Sequence, residues 1–232
     1  QSASAAFPVV LVTGPRQVGK TTLLQHAAKQ ERAYVTLDDP QVRLLAKTDP
    51  ALFFQTYRAP LLIDEIQYAQ ELFPYIKMIA DREKRPGLFW LTGSQHFHLM
   101  KGVTESLAGR VAVLDLQGLS QGEKLGRPET PPFLPGNRPD TQCEPLELRA
   151  VYEMIVKGSF PALFAGANPD RELFYASYLR TYIERDVRDL LKISDEANFV
   201  KFIKVAAART GQLLNYSDLA RDVEVSQNTV KA

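Results

Sequence analysis

The sequence predicts an α/β fold in which a parallel sheet is doubly wound, with helices on both faces. Between residue 9 and about residue 116, short apolar runs alternate with helical patterns. Most of these runs are rich in leucine or β-branched residues and nearly continuous in apolar character, as strands buried on both faces are. Alternation of such strands with helices is typical of a parallel sheet covered on both sides.

Five of the apolar runs predict strands, over residues 9–13, 33–37, 60–64, 88–92 and 111–116. A helix is predicted over residues 20–29, directly after a loop that contains glycine. A second helix is predicted over residues 70–83, because apolar side chains recur there on one face, namely Leu72, Phe73, Ile76 and Ile79.

The pattern changes after the fifth predicted strand. Six prolines lie between residues 126 and 145, and the interior of a helix or strand does not tolerate them. Helical spacing returns afterwards, most clearly over residues 171–193 and 196–208. We therefore expect a first domain over residues 1–124, a linker or wrapping loop over 125–145, a helical region over 146–210 and the start of a further motif over 211–232.

The last stretch resembles a helix-turn-helix. Ser217 and Ser226 are predicted to cap its two helices, and Glu224 occupies the turn, where many such motifs have glycine. The residues expected to face inward are Leu219, Ala220, Val225 and Val230. Contact with DNA and packing within the protein both fit this pattern. Residues 212–232 carry three acids and two bases, a net charge of −1, which favours packing because phosphate binding needs excess cations.

Composition narrows the class of protein. The 232 residues are 45% hydrophobic and 24% charged, with a formal net charge of +1, so bulk charge favours neither nucleic acid nor an anionic membrane as a partner. A single cysteine, Cys143, excludes an internal disulfide and a multi-cysteine zinc site and fits the reducing cytoplasm. No apolar stretch is long enough to span a bilayer. The two ends of the sequence lead us to expect a longer natural chain.

Residues 14–21 match the phosphate-binding pattern G-x-x-x-x-G-K-[ST], placed between a predicted strand and a predicted helix. Glycines permit the tight turn that points successive backbone N–H groups at phosphates, and the helix N-terminus favours the same negative charge. Lys20 is expected to reach the β- and γ-phosphates, and the Thr21 hydroxyl to bind Mg²⁺. The predicted nucleotide-binding residues are Gly14, Pro15, Arg16, Gln17, Val18, Gly19, Lys20, Thr21 and Thr22.

Two adjacent acids, Asp64 and Glu65, end the predicted strand in "APLLIDEIQ". Acids at the end of a buried strand need a cation or hydrogen bonds. We expect Asp64 to hold Mg²⁺ and Glu65 to orient or deprotonate an attacking water. A carboxylate beside the metal ligand favours hydrolysis over phosphoryl transfer to an acceptor, although transfer is not excluded.

Two further groups are candidates for the catalytic site. The strand in "FWLTGSQ" ends in Thr92, Ser94 and Gln95, any of which could bind the γ-phosphate or the water. Arg110 follows Gly109 and precedes the fifth strand. It could act as an arginine finger on the γ-phosphate of a neighbouring subunit, or it could form a surface ion pair.

Together these motifs resemble the prokaryotic AAA-type ATPases that carry a "GPRQVGKTT" Walker A loop. The resemblance covers most of the chain and implies a sheet of order 5-1-4-3-2, followed by a helical region, a winged helix that is only partly present here, and a C-terminal domain that lies outside this sequence. It implies phosphate and metal binding by Lys20, Thr21 and Thr22, a Walker B pair at Asp64 and Glu65, sensor one within residues 92–95, and a finger at Arg110.

We therefore expect an ATPase that hydrolyses ATP with Mg²⁺ and thereby moves a partner or its own helical region. The expected catalytic residues are Lys20, Glu65, Ser94 and Arg110, with Thr21 and Asp64 on the metal. A homo-oligomer with Arg110 acting in trans is the expected assembly. Two alternatives stay open, a nucleotide-switched DNA-binding regulator that uses the helix-turn-helix and a phosphotransferase.

Overall fold

A computed structural model describes residues 2–28, 32–94, 102–103, 105–128, 145–165, 169–182 and 196–231. The chain divides into two compact units, Gln1–Pro169 and Asp170–Ala232. The described residues include no helix that is long and apolar enough to cross a membrane.

The first unit contains a five-stranded sheet in which every described strand pair is parallel. The spatial order is β2-β3-β4-β1-β5, the order that the family resemblance implied. Each predicted strand is present, with bounds that differ by no more than one residue. The strands are β1 Val9–Thr13, β2 Ala33–Thr36, β3 Leu61–Asp64, β4 Phe89–Gly93 and β5 Val111–Asp115.

Helices pack on both faces of this sheet. Alternate residues of the central strands, such as Leu11 and Ile63, belong to a large core with three helices, α3 Pro40–Thr48, α4 Pro50–Thr56 and α5 Phe73–Glu83. Their neighbours, such as Val10 and Leu62, form a smaller core with α1 Ser2–Ala6 and α2 Lys20–Ala28. The predicted doubly wound α/β architecture is therefore confirmed.

The helices α3 and α4 were not among the predicted elements, although both begin with the same local pattern. Each has aspartate at the N-cap and proline in the first turn. The Asp39 carboxylate accepts from the backbone N–H groups of Gln41 and Val42, and Asp49 accepts from Leu52. Proline is favoured there because it lacks the N–H that would be unpaired.

The two edge strands, β2 and β5, depart from the expectation that the strands are buried on both faces. β5 is an edge strand, and Val113 and Leu114 are 39% and 46% exposed. The central strands β1, β3 and β4 are buried throughout. An apolar run alone cannot distinguish these two positions, because strand order is a property of the assembled sheet.

Beyond β5, the described part of the first unit includes the helices α6 Gln121–Lys124 and α7 Leu148–Lys157. Ser120 and Glu123 form a capping box at α6, and the Ser120 N–H lowers the pKa of the Glu123 carboxyl. Ser159 lies against the segment after β5, where its carbonyl accepts from the Leu119 N–H over 2.8 Å. Most of the predicted proline-rich linker, residues 129–144, lies outside the described residues.

The second unit is helical where it is described. Its helices are α8 Arg171–Tyr182, α9 Glu196–Ala208, α10 Tyr216–Val223 and α11 Gln227–Lys231. The part of the predicted helix beyond residue 182 lies outside the described residues.

The helices α10 and α11 form the predicted helix-turn-helix pair, with one corrected cap. Asn215, rather than Ser217, caps α10, because its side-chain oxygen accepts from the N–H groups of Ser217 and Asp218. Ser226 caps α11 as predicted by accepting from the Thr229 N–H. Glu224 occupies the turn in the left-handed conformation, at φ 64°.

The loop after β1 approaches β5 closely at Gly14. A Cβ at this position would lie 2.1 Å from the Leu116 carbonyl oxygen, and the backbone has a φ of 136°. Glycine is the residue that satisfies both conditions, since it has no Cβ and adopts positive φ freely. The loop is therefore held against the end of β5.

We predict that Gly14→Ala lowers the free energy of unfolding by roughly 2–5 kcal/mol, because it combines backbone strain with a collision against a carbonyl. Urea unfolding followed by the fluorescence of Trp90, the single tryptophan, measures this. Gly126→Ala is the matched control, since it has a φ of 70° but open space around the added Cβ, and it should cost about 1–2 kcal/mol. Equal losses for the two variants would contradict the close-approach explanation.

Candidate functional site

The candidate site lies at the carboxyl ends of three neighbouring strands. The loop of residues 14–19 follows β1, Asp64 is the last residue of β3, and Ser94 follows β4. Because β3, β4 and β1 are adjacent and parallel, their carboxyl ends meet at one edge of the sheet. Ligands of open α/β sheets bind at this edge.

The glycine loop curves around the side chain of Lys20. Positive φ at Gln17 and Gly19, 61° and 92°, produces the curve, and the buried side chain of Val18 ties it to the fold. The Lys20 ammonium donates to the carbonyls of Gly14 over 3.1 Å and Pro15 over 2.7 Å. The lysine is 6% exposed, so its positive charge lies inside the loop and is shielded from solvent.

The remaining residues of the predicted loop lie nearer to solvent. Pro15 and Gln17 are exposed and Arg16 is half-buried, while Thr22 is exposed in the first turn of α2. Thr21 turns in the other direction, towards the end of β3. Lys20 therefore contacts the loop itself, whereas the next residue, Thr21, contacts the last residue of β3.

The Asp64 carboxylate is 7% exposed and accepts hydrogen bonds from three hydroxyl groups. Thr21 and Thr92 donate to its Oδ1 over 2.6 Å and 2.5 Å. Tyr34, on the edge strand β2, donates to Oδ2 over 3.1 Å. Burial, followed by the charge of Asp64, raises the pKa of the Tyr34 phenol and keeps it in the donating form.

These oxygens fit a magnesium ion. Thr21 and Asp64 offer a hydroxyl and a carboxylate in direct contact, and Mg²⁺ prefers such hard oxygen ligands, taking one or two from the protein and the rest from phosphate and water. Among the described residues there is no group of three or more His, Cys, Asp or Glu side chains of the kind that forms an all-protein metal site.

Glu65 lies beside this cluster in an uncommon backbone conformation. Its φ and ψ are 58° and 48°, in the left-handed region, and its N–H donates to the Thr92 hydroxyl over 3.0 Å. The turn directs the Glu65 carboxylate away from Asp64 and towards the end of β4. There its Oε2 accepts from Ser94 over 3.1 Å and from Gln67.

The structure therefore brings the loop, the acid pair and Ser94 together, and it adds Tyr34 and Gln67, which sequence analysis did not select. Tyr34 is the second residue of an edge strand, and no pattern in the sequence connects it to Asp64, thirty positions away. Gln67 follows the acid pair by two positions in "IDEIQ", and that proximity was the available indication. Gln95 lies outside the described residues.

Arg110 lies at the opposite end of the strands. Its carbonyl accepts from the N–H of Val9, the first residue of β1, whereas the loop follows the last residue of β1. Five strand residues span roughly 16 Å. Its guanidinium forms two hydrogen bonds with the Asp81 carboxylate, of 2.5 Å and 3.0 Å, and this contact lowers the pKa of Asp81. Arg110 therefore cannot reach a phosphate held by the loop of its own chain.

Comparison with known proteins identifies relatives over almost the whole chain. The proteins Mb2031c of Mycobacterium bovis and Rv2008c of Mycobacterium tuberculosis, both described as uncharacterized, are 30% identical to it over 225 residues. The match covers 97% of this chain and 46% of each relative, so the chain spans about half the length of the curated relatives it matches.

A solved structure, the Thermotoga maritima RuvB Holliday junction branch migration motor, aligns with 97% of this chain and 76% of its own. The identity is 17% and the TM-score 0.38, as they are for a variant of the same protein, and a score this low carries no argument about fold or function.

Two family models match the sequence. A model described as a domain of unknown function, DUF8612, matches residues 148–232. The model described as AAA domain matches residues 6–125, a segment that includes the loop, the acid pair and all five strands. That segment is more than half of the chain, and the chain therefore belongs to the AAA domain family.

Proposed function

We propose that this chain binds ATP with Mg²⁺ and hydrolyses it. The observation that carries the proposal is the contact between Thr21 and Asp64, 2.6 Å apart although 43 positions separate them. It supports a metal site beside Lys20, in which this hydroxyl and this carboxylate would hold an ion that neutralises charge on the nucleotide phosphates. Membership of the AAA domain family supports nucleotide binding in general.

In this proposal each residue has a distinct task. Residues 14–22 hold the phosphates with backbone N–H groups and with the Lys20 ammonium. Thr21 and Asp64 would hold Mg²⁺, which neutralises developing charge on the phosphate oxygens when bound. Glu65 orients a water molecule, or accepts its proton, for attack on the γ-phosphate, and Ser94 holds the Glu65 carboxylate.

Hydrolysis is favoured over phosphoryl transfer because Glu65 lies next to the metal-binding carboxylate with Oε2 hydrogen-bonded and its side chain only partly buried. A group so placed can act on water, whereas a phosphotransferase needs a site for an acceptor. The free energy released would drive a conformational change in the helical region or in a bound partner. A cytoplasmic location, which the single cysteine favours, is part of the same proposal.

DNA binding through α10 and α11 has weaker support. Arg221 is engaged by Asp218 over 2.8 Å, and Lys201 of α9 by Glu224 over 2.9 Å. Lys201 also lowers the pKa of Glu224, which therefore stays charged. Cations that are already paired with acids contribute less to the release of counterions from DNA. The family resemblance supports a winged helix that includes α10 and α11.

We predict that Glu65→Gln lowers phosphate release from Mg·ATP roughly 10²- to 10⁴-fold, because the amide neither accepts a proton nor orients water as a carboxylate does. ATP binding, measured by titration of a fluorescent ATP analogue, should be retained. The control is Lys20→Ala, which should weaken binding itself. Full turnover in Glu65→Gln would contradict the role of Glu65. Wild-type chain that releases phosphate only when an acceptor is added would contradict hydrolysis.

The position of Arg110 predicts that two subunits are needed for full activity. Chains carrying Arg110→Ala retain an intact loop, and chains carrying Lys20→Ala retain an intact arginine. Each variant alone should release little phosphate, while an equal mixture should recover about a quarter of the wild-type rate, because one interface in four combines both intact parts.

The control for this mixing experiment is Lys20→Ala mixed with Glu65→Gln, which places both lesions in the same half of the site and should recover nothing. Wild-type turnover by Arg110→Ala alone would assign Arg110 to its ion pair with Asp81 instead.

A further inference from the structure

Gln67 is a buried polar residue for which packing provides no explanation. It lies in the short 3-10 turn Ile66–Tyr68 directly after the acid pair, and it is 8% exposed. Its Nε2 donates to Glu65 Oε2 and lies 3.2 Å from the Ser94 hydroxyl. Its Oε1 is buried and has no hydrogen-bond partner among the residues that the structure describes.

The orientation of this amide is set by its surroundings. Rotation of the amide by 180° would bring Oε1 beside the Ser94 hydroxyl. It would also place that oxygen against the Glu65 carboxylate, where two acceptors repel each other. The amide nitrogen must therefore face Glu65, and Oε1 must face the interior.

A buried acceptor without a partner is unfavourable, because water no longer solvates it. Methionine has a similar length and shape and would fill the same space without that cost. The glutamine has one property that methionine lacks, the N–H donor on Glu65. The contact with Glu65 therefore accounts for an amide at this position.

The same contact limits the motion of Glu65. One carboxylate oxygen, Oε2, is held by donors from two separate segments, Gln67 in the turn after β3 and Ser94 after β4. The backbone of Glu65 is already fixed by the bond from its N–H to Thr92. These two hydrogen bonds to Oε2 restrict the orientation of the Glu65 carboxylate.

We propose that Gln67 is a positioning residue, which holds the Glu65 carboxylate in the orientation that water attack requires. The inference rests on the proposed hydrolysis and adds a residue to that same site. Small errors in the placement of a reacting group slow a reaction strongly, because attack depends on distance and direction. Gln67 acts through Glu65 and has no assigned contact with nucleotide.

The test is Gln67→Met in the 232-residue chain. This variant removes the donor on Glu65 and the unpaired acceptor together, so stability and turnover should move in different directions. We expect the urea midpoint to stay equal or rise, the affinity for the fluorescent ATP analogue to stay unchanged, and kcat for phosphate release to fall roughly 10- to 100-fold. The matched control is Gln55→Met, the same substitution at an exposed glutamine of α4, which should leave all three unchanged.

The double variant Glu65→Gln with Gln67→Met identifies the route of the effect. If Gln67 acts through Glu65, Gln67→Met should lower kcat no further once Glu65 has been replaced. Parallel losses of stability and turnover in Gln67→Met would overturn the inference and assign the residue to folding. Loss of turnover in Glu65→Gln with full turnover in Gln67→Met would overturn the role of Gln67 and leave the proposed hydrolysis intact. Full turnover in Glu65→Gln would overturn the proposed function itself.

Discussion

The site depends on the burial of the Asp64 carboxylate. A carboxylate that is 7% exposed must be compensated by hydrogen bonds or a cation, since the interior solvates charge poorly. Three hydroxyl groups supply that compensation, and each comes from a different element, Thr21 from α2, Tyr34 from β2 and Thr92 from β4. Through these hydrogen bonds, the buried charge at the end of β3 holds α2, and the glycine loop that precedes it, against β2, β3 and β4.

Thr92 connects this cluster to the second acid. Its hydroxyl donates to Asp64 and accepts from the N–H of Glu65, so that one side chain, fully buried at the end of β4, sets both positions. The left-handed backbone at Glu65 is sustained by that bond and sends the two carboxylates in different directions. The two adjacent acids therefore have different hydrogen-bond donors. Three hydroxyl groups donate to Asp64, whereas the Gln67 amide and the Ser94 hydroxyl donate to Glu65.

The length of the strands separates the loop from Arg110. One end of the sheet carries the loop and the acid pair, and the other carries Arg110 with its partner Asp81. Asp81 keeps the guanidinium oriented in the isolated chain, in an ion pair whose members are 32% and 47% exposed. Such a pair costs little to exchange for another anion, because exposed ion pairs contribute little to stability. This favours the proposal that a neighbouring subunit's phosphate is the alternative partner.

Local features of the chain were predictable from the sequence because neighbouring residues produce them. The five strands, the glycine loop before α2 and the acid pair at the end of β3 all follow from contiguous patterns, while the strand order came from the resemblance to a family. The helices α3 and α4 carried a local pattern as well, aspartate before proline, and could have been predicted from it. These features require no knowledge of what lies across the sheet.

The contacts of Tyr34, Thr92 and Gln67 depend on the assembled sheet. Tyr34 meets Asp64 because β2 lies beside β3, and Gln67 meets Ser94 because β4 lies on the other side. The exposure of β5 has the same origin, since its apolar residues lie at an edge. Hydrogen bonds between residues distant along the chain follow from strand order and register. A local sequence pattern determines neither of these, so only the folded structure shows which side chains support the two acids.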